Sequence, residues 1–75
     1  MDRDDIRRRV AQHPNAVTAD ELGQLLEAYG WTLDHISSSH HIYRGPSQGH
    51  ISIPVHRSTV KAVYVRQVLR LTEGE

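Results

Sequence analysis

The sequence contains no cysteine, no phenylalanine and only one tryptophan. Without cysteine the chain has no disulfide framework, no thiolate zinc site and no cysteine nucleophile, and this composition fits a reducing cytosol. No apolar run approaches the roughly 18 residues that a membrane-spanning helix needs. The N-terminal stretch MDRDDIRRRV also lacks the apolar core of a signal peptide. These absences predict a cytoplasmic protein with no membrane segment.

The chain is short and its net charge is zero. Its 75 residues predict one domain near the lower limit for a self-supporting core, which favours a large substrate on the surface over an enclosed metabolite. The charges are unevenly distributed, because Asp34 is the only acid between Trp31 and Leu71. A locally basic half is what a polyanion would bind, although a solvated, charge-matched surface is the alternative. The basic residues of this half are Arg44, Arg57, Lys61, Arg66 and Arg70.

The N-terminal segment, residues 1–18, is predicted to form an arm or a short helix. Within it, residues 3–12 carry a thin apolar stripe of Ile6 and Val10, four residues apart. The main domain is predicted to span residues 19–72.

Two longer helices are predicted to flank a set of strands. Thr18 with Glu21 three residues later is a capping-box pattern that starts the first of them, and Gly30 stands where a C-terminal glycine belongs. The second is expected to run from a cap within residues 58–59 to about Leu71. Its apolar residues are numerous, and its basic residues are expected to stay exposed.

The segment between these helices alternates in polarity as strands do. Serines 37–39 are expected to make a turn, and Pro54 indicates an edge strand or a strand end, because proline cannot donate to a ladder. The order predicts a two-layer α+β sandwich with a three-stranded antiparallel sheet, plus the N-terminal helix or arm. The predicted strands are residues 31–36, 40–44 and 50–56.

Histidines are concentrated in this half of the chain. Histidine is the one side chain whose unperturbed pKa lies in the physiological range, so the cluster suggests catalysis, metal binding or pH sensing. Neighbouring strand residues point to opposite faces, so His40 and His41 cannot both face one site. Metal capture is an open alternative, but no HxH or HExxH spacing supports it. The clustered histidines are His35, His40, His41, His50 and His56.

Four motifs follow one another in the order LLEAYGW, SSHHIYR, ISIPVH and KAVYVRQVL. Over residues 19–70 they resemble the HicA (YcfA-like) family of toxin components, in which a Gly-Ser-His motif opens a strand and a Pro-x-His motif ends one. The resemblance implies a fold like that of a double-stranded RNA-binding domain. It also implies an endoribonuclease that cleaves mRNA and is neutralised by a HicB-type antitoxin. We expect neither a metal nor another cofactor.

The resemblance places the family's functional histidine on His40. We predict that His40 transfers a proton, with His56 or His41 as the second proton carrier. Positioned proton transfers of this kind contribute about 10²–10⁴-fold to rates, and basic side chains stabilise charge on phosphorus. The catalytic residues are therefore predicted to be His40 and His56. The predicted RNA contacts are Ser39, His41, Arg44, Arg57 and Lys61.

Ser38 stands where the family motif has glycine. If this turn needs a positive φ, serine costs about 1–2 kcal/mol there. A run of three serines suggests a turn already adapted to side chains, so we expect a negative φ. The alternative function is a non-catalytic RNA-binding module that lost its catalytic geometry through Ser38.

Overall fold

The structure is a computed structural model that describes residues 2–73. This part of the chain forms three helices and one antiparallel sheet with strand order β1-β2-β3. The predicted two-layer α+β fold is confirmed, and it is consistent with the arrangement of a double-stranded RNA-binding domain. No helix among the described residues is long and apolar enough to cross a membrane. The elements are α1 Arg3–Gln12, α2 Ala19–Ala28, β1 Thr32–Ser37, β2 His40–Arg44, β3 His50–Pro54 and α3 Ala62–Leu71.

Helix α2 begins and ends where the sequence predicts. The Thr18 hydroxyl accepts a hydrogen bond from the Glu21 backbone N–H at 3.1 Å, and the Glu21 carboxylate accepts one from the Thr18 N–H at 3.0 Å. This reciprocal capping box satisfies two of the N–H groups that a helix start leaves unpaired. Gly30 follows the helix with φ 90°, a left-handed conformation that glycine adopts at little cost.

Helix α1 occupies residues 3–12 as predicted, and it packs against the other two helices. Its Val10 is buried in the common core. Its Arg7 guanidinium donates to the Leu69 carbonyl at 2.5 Å and to the Thr72 hydroxyl at 2.6 Å, at the C-terminal end of α3. The same guanidinium lies 5.8 Å from the centroid of the Tyr29 ring. A cation at a helix C-terminus interacts favourably with the helix dipole, so Arg7 helps to hold α1 against α3.

The sheet has one covered face and one open face. Tyr43, Ile51 and Ile53 point into the helical layer and are buried. Strand β3 is an edge strand that ends at Pro54 rather than at His56, because a proline cannot continue the ladder. The buried core consists of Val10, Val17, Leu22, Leu25, Leu26, Tyr29, Trp31, Tyr43, Ile51, Ile53, Val60, Val65 and Val68.

The prediction of a negative φ at Ser38 is wrong. Ser37 pairs with His40, which leaves a two-residue loop, and Ser38 has φ 58°. A two-residue hairpin loop must match the right-handed twist of its strands, and the turn types that do so need a positive φ. Ser39 is not among the residues with positive φ. Positive φ at the first loop position alone is typical of a type II′ turn, where glycine is the usual residue.

We expect Ser38→Gly to stabilise the protein. Glycine removes about 1–2 kcal/mol of strain from the left-handed conformation in the folded state. It also raises the entropy of the unfolded chain, which costs about 0.4–1 kcal/mol of stability. The free energy of unfolding should therefore rise by roughly 0.5–1 kcal/mol. Urea denaturation measures it. Ser39→Gly is the matched control in the same loop, and it should lose stability. A Ser38→Gly variant less stable than the wild type would show that the turn is not strained.

The predicted cap of the last helix is also wrong. Arg57 and Ser58 have φ 52° and 70°, and His56 and Thr59 exchange backbone hydrogen bonds of 2.9 and 3.0 Å across them. Positive φ at both central positions is the pattern of a type I′ turn, so these residues close a tight hairpin and cannot cap a helix. Helix α3 instead begins after Lys61, whose side chain makes no capping hydrogen bond.

Candidate functional site

A groove of about 690 Å³ lies where β3, the following hairpin turn and the start of α3 meet. We call it the His56 groove. Three of the predicted site residues line it, namely Ser39, His56 and Lys61. The complete lining in the described chain is Asn15, Ser39, Pro54, Val55, His56, Thr59, Val60, Lys61 and Tyr64, with no acidic residue.

The backbone around His56 is fixed by hydrogen bonds on both sides. The Val55 N–H donates to the Ser39 carbonyl at 2.8 Å, and the Thr59 hydroxyl donates to the His56 carbonyl at 2.7 Å. The His56 side chain is exposed and its ring makes no hydrogen bond to another described residue. The structure therefore fixes the backbone at His56 and leaves both ring nitrogens available to a ligand.

The N-terminus of α3 forms the basic end of the groove. Lys61 is exposed at the cap position, and no side chain accepts from the N–H groups of the first turn. The Tyr64 N–H donates to the Lys61 carbonyl at 3.0 Å, and among the described residues the N–H groups of Ala62 and Val63 have no acceptor. Those two donors and the helix dipole attract anions, and the Lys61 ammonium adds a full positive charge. The first turn of α3 contains no acidic residue that would oppose this potential. This end of the groove is suited to a phosphate group.

His40 is not among the residues that line the His56 groove. It follows Ser39 and pairs with Pro54 on β3, and both of these neighbours line the groove. The bond between Val55 and Ser39 extends this register by one pair, which puts His56 two positions beyond the residue opposite His40. The two predicted catalytic histidines therefore stand near the same end of the β2–β3 pair, with His40 inside the pair and His56 beyond its last residue.

Arg44 is not in the groove. It lies on the open face at the far end of β2 from His40, and its guanidinium is 3.3 Å from the Asp34 carboxylate. His35 Nδ1 lies 2.9 Å from the other oxygen of the same carboxylate. The hydrogen bond with His35 lowers the pKa of Asp34, and the Arg44 charge lowers it further. A phosphate at Arg44 would have to compete with a carboxylate that remains ionised at neutral pH.

His41 points to the opposite face of the sheet, as strand alternation predicts. It is half-buried and lines a second groove of about 380 Å³ between α2 and β1. Asp20 and Glu27 also line this second groove. Burial raises the pKa of Tyr43 there, and the charges of Glu27 and Asp20 raise it further. The predicted RNA contact of His41 therefore lies in an acidic groove, apart from Ser39, His56 and Lys61.

Arg57 lies at the tip of the hairpin turn, exposed and next to His56 in sequence. Its backbone is left-handed, and it does not line the His56 groove. Among the described residues, no group of three or more histidine or carboxylate side chains could hold a metal ion.

Sequence reasoning missed Asn15, Thr59 and Tyr64, which also line the groove. Tyr64 belongs to α3, and Asn15 belongs to a turn before α2. These residues are distant in sequence, and no local motif connects them. They come together because residues 17–19 pair with residues 58–60, with a bridge between Thr18 and Thr59. That pairing is a feature of the tertiary structure, and a local sequence pattern does not predict it.

Comparison with known proteins agrees with the resemblance of the four motifs. Residues 19–73 match a family model described as HicA toxin of bacterial toxin-antitoxin. The matched segment begins at α2 and includes the whole sheet and α3, so it contains His40, His56 and Lys61 but neither α1 nor Asn15. No curated protein and no solved structure matches the chain.

Proposed function

The chain belongs to the HicA toxin family of bacterial toxin–antitoxin systems, and from this premise we propose that it is an endoribonuclease that cleaves mRNA without a metal ion. The observation that carries the proposal is the His56 groove. It combines an exposed imidazole with a lysine at an uncapped helix N-terminus, and a second histidine, His40, pairs with the groove residue Pro54. An open surface groove suits a polymer, which can lie across a small domain.

The reaction that fits these groups is an internal attack within the RNA strand. The 2′-oxygen forms a bond to the adjacent phosphorus, and the bond from phosphorus to the 5′-oxygen of the next nucleotide breaks. One imidazole takes the proton of the 2′-hydroxyl, and the other gives a proton to the departing 5′-oxygen. The products are a 2′,3′-cyclic phosphate and a free 5′-hydroxyl. DNA has no 2′-hydroxyl and is not a substrate for this route.

We assign the two proton transfers to His40 and His56. Two imidazoles can serve one phosphodiester when each comes within about 2.6–3.2 Å of the oxygen whose proton it takes or gives. Lys61 and the first N–H groups of α3 would stabilise the negative charge that develops on the phosphorane oxygens.

The geometry of Ser38 favours the enzyme over a non-catalytic binding module. Its φ of 58° is a conformation typical of glycine, which is the family residue at this position. The turn that leads into His40 therefore has the backbone conformation expected for glycine, although serine occupies the position. We therefore expect the serine to lower the stability of the protein without displacing His40.

Incubation of the purified chain with end-labelled single-stranded RNA in excess EDTA tests the proposal. Cleavage of the RNA, with an all-DNA strand of the same sequence left intact, is the expected result. Binding of the RNA without cleavage would instead support the binding module. Loss of cleavage in EDTA with recovery on added Mg²⁺ would overturn the metal-free chemistry.

We further propose that the partner is a HicB-type antitoxin that covers the His56 groove. Arg57, next to His56 in sequence, should then contribute both to RNA binding and to an acidic antitoxin surface. Arg57→Glu should weaken both complexes and lower the slope of log affinity against log salt for RNA by at least about one. Titrations at several salt concentrations measure this effect.

The matched control is Arg66→Glu, which reverses an exposed charge on α3 outside the groove. It should change the two affinities much less than Arg57→Glu does. A structure of the complex in which the antitoxin leaves His40 and His56 open would contradict the proposal.

A further inference from the structure

Two side chains of the His56 groove take no part in the chemistry described above. Asn15 and Tyr64 both line the groove, and neither side chain hydrogen-bonds to another described residue. The proton transfers are assigned to the histidines and the charge stabilisation to Lys61 and the start of α3, so neither the Tyr64 ring nor the Asn15 carboxamide has a role in them. The groove thus contains a stacking surface and an unpaired amide beside its basic end.

We propose that the His56 groove binds one unpaired nucleobase, with Tyr64 as the stacking surface and Asn15 as the residue that discriminates between bases. The proposal rests on the proposed function and names its substrate class, which is single-stranded RNA. A base inside a duplex is stacked and paired, so only a single strand or a loop can place a base in this groove.

The composition of the groove fits a nucleobase better than a phosphate alone. Pro54, Val55 and Val60 give it apolar surface, while Lys61 supplies charge at one end. A nucleotide has the same division, with an apolar base face, a polar base edge and an anionic phosphate. The volume of about 690 Å³ lies within the roughly 300–1,000 Å³ of small-ligand sites.

Asn15 is held in place by the backbone on both sides. The Ala16 N–H donates to the His13 carbonyl at 3.0 Å and closes the turn that carries Asn15. Val17 is buried, and its carbonyl accepts from the Val60 N–H at 3.0 Å. The segment is therefore fixed against a residue of the groove itself. The backbone therefore holds Asn15 at the groove, where its carboxamide is available to a ligand.

The carboxamide of Asn15 suits the edge of a base. It offers two N–H donors and one carbonyl acceptor side by side, and the edges of the bases also carry adjacent donors and acceptors. The four bases differ in the positions of these groups, so one carboxamide cannot serve all of them equally well. Asn15 precedes the matched residues 19–73, so this discrimination would be a property of the N-terminal segment of this chain.

Fluorescence anisotropy with short 2′-O-methyl oligonucleotides of adenine, cytosine or uracil tests the inference. A methylated 2′-oxygen cannot attack phosphorus, so binding is measured without cleavage. The wild type should bind the three with affinities that differ by about fivefold or more, and Asn15→Ala should remove most of this spread. Gln12→Ala, which removes an exposed amide outside the groove, should keep the spread of the three affinities.

Tyr64 gives the second measurement. Tyr64→Leu should weaken all three complexes by about 5–100-fold, whereas Tyr64→Phe, which keeps the ring, should stay close to the wild type. Circular dichroism verifies that each variant is folded. Three equal wild-type affinities, an unchanged spread in Asn15→Ala, or wild-type binding by a folded Tyr64→Leu would each overturn the inference.

These outcomes are distinct from failure of the proposed function. A chain that shows this binding pattern but cleaves no RNA would overturn the nuclease and support the base site. A nuclease whose base preference does not depend on Asn15 would overturn only the base site.

Discussion

We expect His40→Ala to slow RNA cleavage by about 10²–10⁴-fold while RNA affinity and the fold stay nearly unchanged. The imidazole is exposed at the strand start, so its removal costs little packing. His50→Ala is the matched control, because His50 is exposed on the same open face but pairs with Arg44 at the other end of β2. It should leave the rate close to that of the wild type, because His50 neither lines the His56 groove nor pairs with a residue that does. Cleavage at the wild-type rate by His40→Ala would remove the central residue of the proposed mechanism.

The same experiment extends to His56. If His40 and His56 act as one acid–base pair, the double variant should be hardly slower than either single variant, because groups that act as a unit are not additive. The wild-type kcat/KM should show a bell-shaped dependence on pH, and each single variant should lose one limb of that curve. The two histidines would act separately if the rate losses of the single variants multiplied in the double variant and both limbs of the pH curve were retained.

Lys61→Ala should lower kcat by about 10²–10³-fold, the cost commonly seen when one donor to a developing oxyanion is removed. The reason is that Lys61 and the uncapped start of α3 face the same groove as His56. A residue that only holds RNA would raise KM instead, so the division between kcat and KM distinguishes the two roles.

Arg66→Ala is the matched control for Lys61, since it removes a positive charge from the exposed side of the same helix. It should leave kcat close to the wild-type value. A Lys61→Ala variant whose kcat is unchanged and whose KM is raised would assign Lys61 to RNA binding alone.

Much of the fold could be predicted from the sequence because local signals determine it. The capping box of Thr18 and Glu21 starts α2, and Gly30 follows its end. The alternation in β3 places Ile51 and Ile53 in the core. The same rule separates His40 from His41, which the structure places on opposite faces of β2.

The turns could not be predicted in the same way. Neither Ser38 nor the Arg57–Ser58 pair has the glycine or asparagine that usually marks positive φ. Their conformation follows from the closure of two-residue loops, which depends on which strand residues pair. The candidate site is assembled by the same pairing, since Asn15, His56 and Tyr64 meet only when residues 17–19 lie against residues 58–60.

Identification of the ends that cleavage leaves on the RNA is the most direct test of the central claim. Mass spectrometry of the fragments formed in excess EDTA should find a 2′,3′-cyclic phosphate, or the 3′-phosphate that it becomes on hydrolysis, and a 5′-hydroxyl on the other fragment. These ends follow from attack by the 2′-oxygen with histidines as acid and base. Fragments with a 3′-hydroxyl and a 5′-phosphate would mean that water attacked the phosphorus, and they would contradict the proposed mechanism.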